Sequence, residues 1–237
     1  MLTIQNLVKR HGSQEVLSNI SFKARPGRVT GFLGPNGAGK SSTLRILLGL
    51  DQATSGSALV NGVAYPKLPN PLTMVGAALG GASAHRTRTG RAHLRWVAHS
   101  AGFPSSRVDE VLEMVDLSNA ASMRVGKYSL GMSQRLGLAT ALLGDPDILI
   151  LDEPVNGLDP EGIRWIRMFL RERAEAGNTV LLSSHLMGEL AETVDDVVII
   201  NKGKIMSAGT LEEVMDGYFT LEEAFFALTS QNGRDSK

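Results

Sequence analysis

One eight-residue run decides most of what this chain can fold into. Gly34-Pro35-Asn36-Gly37-Ala38-Gly39-Lys40-Ser41 follows a short apolar stretch, residues 29–33, and precedes residues 41–50, which read as a helix. A strand, a glycine-rich turn and a helix in that order bring backbone N–H groups together where phosphate oxygens can sit. The start of the helix adds a favourable dipole. Lys40 then reaches the β and γ phosphates of a nucleotide, Ser41 ligates Mg²⁺, and Ser42 follows in the first turn. Such a loop needs an α/β sheet whose strands end at the ligand.

A second run agrees with it. Ile148-Leu149-Ile150-Leu151 is apolar throughout, as a strand buried on both faces must be, and it ends in Asp152-Glu153. Ligands of open α/β sheets bind at this strand end. Asp152 is placed to hold Mg²⁺ through water, and Glu153 to polarise an attacking water.

The rest of the chain fits around these two runs. Ile20, Phe22 and Ala24 alternate with polar residues, a β period, and Arg25-Pro26-Gly27 is a turn. A short strand pair is expected over 56–65. Residues from about 68 to 135 carry helical patterns at 92–101 and 108–115, separated by Gly- and Ser-rich joints, and read as an inserted helical lobe. A second α/β half follows: helix 162–176, strand 179–183, helix 187–193, and strands 197–201 and 204–207. The expected division is an ATPase domain over 1–220 and a C-terminal helix with a polar tail over 221–237, the tail disordered from Ser230. Strands alternating with helices predict a mainly parallel sheet covered on both faces.

Composition narrows the function classes. Lys+Arg and Asp+Glu both number 24, so global charge favours neither nucleic acid nor an anionic membrane. The chain has no cysteine, which removes disulfides and thiolate chemistry. No apolar stretch reaches the ~18 residues of a membrane span, and the first residues do not read as a signal peptide. The expectation is a cytoplasmic protein whose role at a membrane requires a partner chain.

Three further motifs carry a family resemblance. Tyr128-Ser129-Leu130-Gly131-Met132-Ser133-Gln134-Arg135 resembles the signature of ABC ATPases in a variant form found among exporters. Asn156-Gly157-Leu158-Asp159-Pro160 resembles their D-loop, and His185 their switch histidine. With the two nucleotide runs they stand in the family's order over nearly the whole chain. The resemblance implies a P-loop NTPase core with a mainly parallel sheet, an N-terminal antiparallel β subdomain and an inserted α-helical subdomain. It implies head-to-tail dimers around two ATP molecules, with Mg²⁺. Ser129, Gly131 and Met132 of one chain would face the γ-phosphate held by the other. His185 would touch the same phosphate, and Asp159 would lie at the dimer seam. Partners would be a second ATP-binding subunit and a separate transmembrane permease, with no nucleic acid. The chain would sit peripherally on the inner face of the cell membrane. The variant signature and residues 75–94 resemble exporters of drugs, antibiotics or lipids. A soluble member acting on ribosomes or DNA is the rival. It fits poorly with a single cassette and only roughly 110 residues, without heptads, between Lys40 and Asp152.

The chain also departs from the family pattern. His11 stands where an aromatic ring usually stacks on adenine, with Val16 beside the same base; His11 reads equally as an exposed turn residue. Leu130 and Met132 replace a glycine and a glutamine. Gly80, after the strand-like run from Val75, stands where a glutamine contacts Mg²⁺, and the chain has no glutamine between Gln52 and Gln134. Finally, no acidic residue lies between Asp51 and Asp109, while Lys67, Arg86, Arg88, Arg91, Arg95 and Arg107 are basic. If helical, Arg88, Arg91 and Arg95 share one face. That face reads as an acidic-partner surface or as a solvated basic one. A metal site from His85, His93 and His99 is the weakest reading, since no carboxylate joins them.

Overall fold

The computed structural model describes residues 1–80, 84–185 and 187–230. Along the chain the elements are β1 (Leu2–His11), β2 (Gln14–Ala24), β3 (Arg28–Leu33), α1 (Lys40–Leu47), β4 (Ser55–Val60), α2 (Pro71–Met74), β5 (Val75–Leu79), α3 (Gly90–Ala101), α4 (Ser106–Met114), α5 (Leu130–Leu142), β6 (Ile148–Asp152), α6 (Pro160–Glu175), β7 (Thr179–Ser184), α7 (Met187–Leu190), β8 (Asp196–Asn201), β9 (Lys204–Thr210), α8 (Leu211–Met215) and α9 (Leu221–Ser230). They fall into two compact units, Met1–Pro69 with Leu170–Lys237, and Asn70–Phe169.

In the first unit β1 pairs antiparallel with β2 and with β4. Alternating apolar side chains explain the sheet: Leu2, Ile4, Leu7, Leu17, Ile20 and Phe22 are all buried. The alternation breaks at Asn6, which has a positive φ of 48°, where the register of β1 shifts. Strand β3 runs parallel to β7 on one side and to β8 on the other, and β9 closes that edge antiparallel. A strand flanked on both sides is buried on both faces, and from Val29 to Leu33 every residue of β3 is buried. Phe32 packs against Phe22 of β2 with ring centroids 4.9 Å apart, joining the antiparallel sheet to the parallel strands. Truncating Phe32 to Ala would cost about 3–5 kcal/mol. Arg28 grips Asp196 with two bonds of 2.7 Å, and Asp195 accepts the Val29 N–H at 2.8 Å, so β3 and β8 share a fixed register at their start.

In the second unit β5 and β6 pair in parallel, with Leu79 beside Asp152. Helices α3, α4 and α5 are amphipathic or apolar and bury Leu94, Val108, Val111, Leu112, Leu136 and Leu138. Helices α4 and α5 are clamped by two arginines in reciprocal positions. Arg107 at the start of α4 donates to the carbonyls of Leu142 and Leu143 at the end of α5. Arg135 near the start of α5 donates to Val115 O at the end of α4, 3.0 Å away. Each guanidinium satisfies carbonyls that a helix end leaves open.

Several expectations shift. The strand pair expected over 56–65 forms only its first member, β4. The chain then turns through a single bridge between Val60 and Val63, because Asn61 and Gly62 both take positive φ. The helical pattern of 187–193 ends at Leu190. In the second unit the four-residue helix α2 and the strand β5 come first, and the longer helices begin at Gly90. The polar tail expected from Ser230 starts later, since Ser230 is the last residue of α9, and residues 231–237 lie outside the described residues.

Candidate functional site

In the first unit the phosphate loop is made by backbone. Strand β3 delivers Gly34, where a Cβ would collide with the carbonyl and side chain of Ile200 on β8. The Ala38 N–H donates to Pro35 O at 3.1 Å and closes the turn. Gly203 N–H donates to Ala38 O at 2.9 Å, and Ser18 N–H donates to Gly203 O at 2.8 Å, which pins the loop to β2 and to the β8–β9 turn. Gly37 and Gly39 take φ of 80° and 111°, the region that favours glycine. A side chain at Gly37 would meet open space, whereas one at Gly39 would press on Leu17 and on Val16 O.

Gly39 is also the N-cap of α1, and no side chain caps that helix; its first turn holds no acidic residue. The first turn lies at the positive end of the helix dipole, where an anion is favoured. Lys40 is only 6% exposed, and its Nζ arches over the loop to donate to Gly34 O at 2.6 Å. A buried lysine ammonium at a glycine-built turn, beside the positive end of a helix dipole, fits a polyphosphate. Pro35, Asn36 and Gly37 are exposed, as is Ser41, while Ser42 is half-buried. Of the two adenine candidates, His11 is exposed at the tip of the β1–β2 hairpin, opposite Gln14, and Val16 is half-buried with its carbonyl against the loop. His185 is exposed immediately after β7.

In the second unit β6 ends at Asp152, which is half-buried. Glu153 follows with a φ of 52°, a left-handed conformation that costs a non-glycine residue about 1 kcal/mol or more. The pairing of Leu79 with Asp152 puts Gly80 one residue further along, at the strand end. Gly80 has a φ of 69° and nothing within 4 Å of where a Cβ would point. Among the described residues no group of three or more His, Asp or Glu could hold a metal by itself. That fits Mg²⁺, which takes few carboxylates and completes its shell with water and substrate phosphates. It removes the His85, His93 and His99 site: His85 bonds Thr87, His93 is buried beside Thr140, and His99 is exposed.

Helix α5 begins at the signature. Ser129 is its N-cap, and its Oγ accepts the Met132 N–H at 3.1 Å. Ser129 and Leu130 are exposed; Gly131 and Met132 are half-buried. A Cβ at Gly131 would stand 3.2 Å from Gly157 O, so this glycine lets the helix start approach the 156–160 turn. Asp159 caps α6, accepting the Gly162 N–H at 2.9 Å, with Pro160 next in the chain.

The basic stretch is less open than its sequence suggests. Arg91 is bonded to Asp109 of α4, and Arg107 to Glu110 and the end of α5. Arg88 lies before α3, its guanidinium 4.8 Å from the Trp96 ring centroid. Arg88 thus falls outside the helix face expected for it with Arg91 and Arg95, and of those three only Arg95 is fully exposed on α3. Two contacts of the signature helix had no sequence signal. Arg135 lies over the Trp165 ring of α6 at 5.1 Å, and Leu130 lies against Gly157. Both join elements far apart in sequence, which no local periodicity reports.

Comparison with known proteins agrees with this arrangement. The profile of the ABC transporter family matches residues 17–156. The chain is 38% identical over 98% of its length, and 76% of the relative's, to the uncharacterized ABC transporter ATP-binding protein YhcH of Bacillus subtilis. It is 37% identical over 95% of its length, and 96% of the relative's, to the lantibiotic transport ATP-binding protein SrtF of Streptococcus pyogenes. It is 41% identical over 85% of its length, and 67% of the relative's, to the bacitracin transport ATP-binding protein BcrA of Bacillus licheniformis. A solved ATP-binding subunit of an ABC transporter superposes with a TM-score of 0.87 at 26% identity, covering 96% of this chain and 99% of that one. A glycine cradle over a buried lysine, a carboxylate-ended strand and a serine-capped signature helix therefore stand in a chain that belongs to the ABC transporter family, as its ATP-hydrolysing, ATP-binding subunit.

Proposed function

We propose that this chain is the motor of an exporter, driving a separate membrane permease that moves an antibiotic-like or lipid-like cargo out of the cell. The observation that carries the reading is the contrast of helix starts: α1 begins on a glycine cap beside the buried Lys40, and α5 presents an exposed serine. One binds phosphate within the chain; the other is free to approach phosphate held by a second copy. Names of relatives, lantibiotic and bacitracin transport, support the export assignment. Among the described residues no helix is long and apolar enough to cross a membrane.

In this reading the loop Gly34 to Ser42 and Lys40 bind the β and γ phosphates, and His11 and Val16 flank the adenine. Ser41 and Asp152 hold Mg²⁺, which supplies charge neutralisation at the phosphates. Glu153 orients the water that displaces ADP from the γ-phosphoryl group, giving ADP and phosphate. His185 steadies that water's geometry, and Ser129, Gly131 and Met132 of the second copy close on the phosphate, with Asp159 at the seam. Two copies close on ATP and reopen after hydrolysis, on the inner face of the membrane. Residues 1–220 act as one ATPase domain in this scheme, with the inserted helices facing the permease.

Copurification tests it. Glu153→Gln chain, isolated with Mg-ATP from gently solubilised cells, is expected to carry a polytopic membrane protein in comparable amount. Ribosomal or DNA-repair proteins in its place would leave the ATPase standing and remove the exporter reading.

A further inference from the structure

Leu130 occupies a signature position where a glycine is common, and its side chain does something a glycine cannot. It lies against Gly157, so closely that a Cβ built there would fall inside the leucine. Gly157 also has a φ of 75°, so the turn is shaped to leave that place empty. Five residues further along the same helix, Arg135 lies over Trp165 at 5.1 Å while donating to Val115 O and reaching Asp116. Trp165 is in turn stacked on Phe169, centroids 5.7 Å apart at 19°. Between the two contacts, Gly131 stands where any Cβ would be 3.2 Å from Gly157 O. Gln134, Arg135, Asp152, Pro154, Leu158 and Trp165 line one recess, which brings the same device to the carboxylate end of β6.

We propose that α5 and the segment 156–166 form one rigid piece within a chain, tied at one end by Leu130 on Gly157 and at the other by Arg135 on Trp165. Both are positioning residues, acting through the segment that each one packs against. The consequence is mechanical. Ser129 at the start of α5 and Asp159 at the start of α6 cannot be displaced separately, so a second copy meets both or neither. This rests on the reading of Ser129 and Asp159 as groups that face the second copy. If Ser129→Ala leaves turnover unchanged, that reading falls by itself, whatever the coupling result.

The absence of cysteine gives a clean test. A Cβ at Gly157 would lie 3.1 Å from Leu130 Cβ, a few tenths of an ångström short of the ~3.5–4.5 Å span that a disulfide bridges. The double variant Leu130→Cys/Gly157→Cys is expected to crosslink within one chain on oxidation. Its ATP turnover should then stay within about twofold of the reduced form, because the bond joins parts that already move together. Oxidation that stops turnover, with recovery on reduction, would overturn the proposal, and so would failure to crosslink. Should the strained Gly157→Cys turn not fold, the other contact decides. Arg135→Gln and Trp165→Leu should each lower kcat about tenfold with the KM for ATP unchanged, the double variant no further, and Trp165→Phe should restore most of it. Additive losses, or a loss confined to thermal stability, would reject the coupling.

Discussion

Helices α1 and α5 begin in opposite ways. At α1 the cap is Gly39, with a φ of 111° and no side-chain bond to the first turn. At α5 the cap is Ser129 in extended conformation, and its Oγ already holds the Met132 N–H. One start rests on a glycine with no side chain to cap it; the other satisfies a donor internally and exposes a hydroxyl that can still donate. Binding at α1 is therefore a backbone property, fixed by glycine geometry and by bonds to Ser18 and Gly203. In the proposed reading, function at α5 depends on one side chain that caps the helix and would approach phosphate. A change at the first site should abolish binding; a change at the second should separate stability from turnover.

The largest effect should come from Gly39→Ala. A non-glycine φ of 111° and the collision with Leu17 together cost about 3 kcal/mol or more, shared between folding and ATP affinity. Calorimetric ATP titration and a thermal melt apportion the two; unaltered ATP binding would break the claim that α1's start is the site. Next, Ser129→Ala and Ser129→Asp should part company. Alanine loses the cap, about 1 kcal/mol, and turnover with it. Aspartate keeps the cap and the melting temperature, yet places a negative charge toward phosphate, so turnover should fall more than about tenfold. Equal turnover in the Asp variant and the parent would confine Ser129 to capping.

A smaller gain is expected at the end of β5. Gly80 has room for a side chain, and its φ of 69° costs glutamine about 1 kcal/mol. Gly80→Gln should supply a polar ligand near the Asp152 end and raise turnover severalfold or tighten its dependence on the permease. No change in either would remove Gly80 from the account.

The smallest effect is a pH dependence in the α5 unit. His93 is 6% exposed, bonds Thr140 on α5 through Nε2, and has no partner at Nδ1. Burial first, then the Arg88 charge, holds its pKa below the ordinary 6.5. The folded chain binds fewer protons there than the unfolded one. The resulting stability is full above 6.5 and is lost as pH falls from 6.5 through the lowered folded value. His93→Gln should flatten the melting temperature over that window; an unchanged slope would exclude His93 as its source.

The contrast between the two helix starts also explains what could be read from sequence. The loop from Gly34 to Ser41 is contiguous, and its shape follows from where glycine must stand, so residue order alone reports it. Likewise the apolar run Ile148 to Leu151 reports a buried strand because burial on both faces leaves no polar position. Neither the Arg135–Trp165 stack nor the Leu130–Gly157 contact is local; each arises only once α5 and the 156–166 segment pack. Arg91, Arg107 and Asp109 show the same limit. A stretch without acids reads as an open basic face, but the packing of α3 on α4 brings Asp109 to Arg91 and the end of α5 brings backbone carbonyls to Arg107. The left-handed Glu153 is likewise invisible to propensity, since the strand before it and the turn after it impose the φ.

ATP-driven pairing of two copies is the central claim, and light scattering on purified Glu153→Gln chain tests it most directly. The account predicts a monomer without nucleotide, a dimer with Mg-ATP, and a monomer again when Ser129→Asp is added although ATP still binds. A chain that binds ATP and stays monomeric, or a Ser129→Asp variant that pairs as readily as its parent, would contradict it.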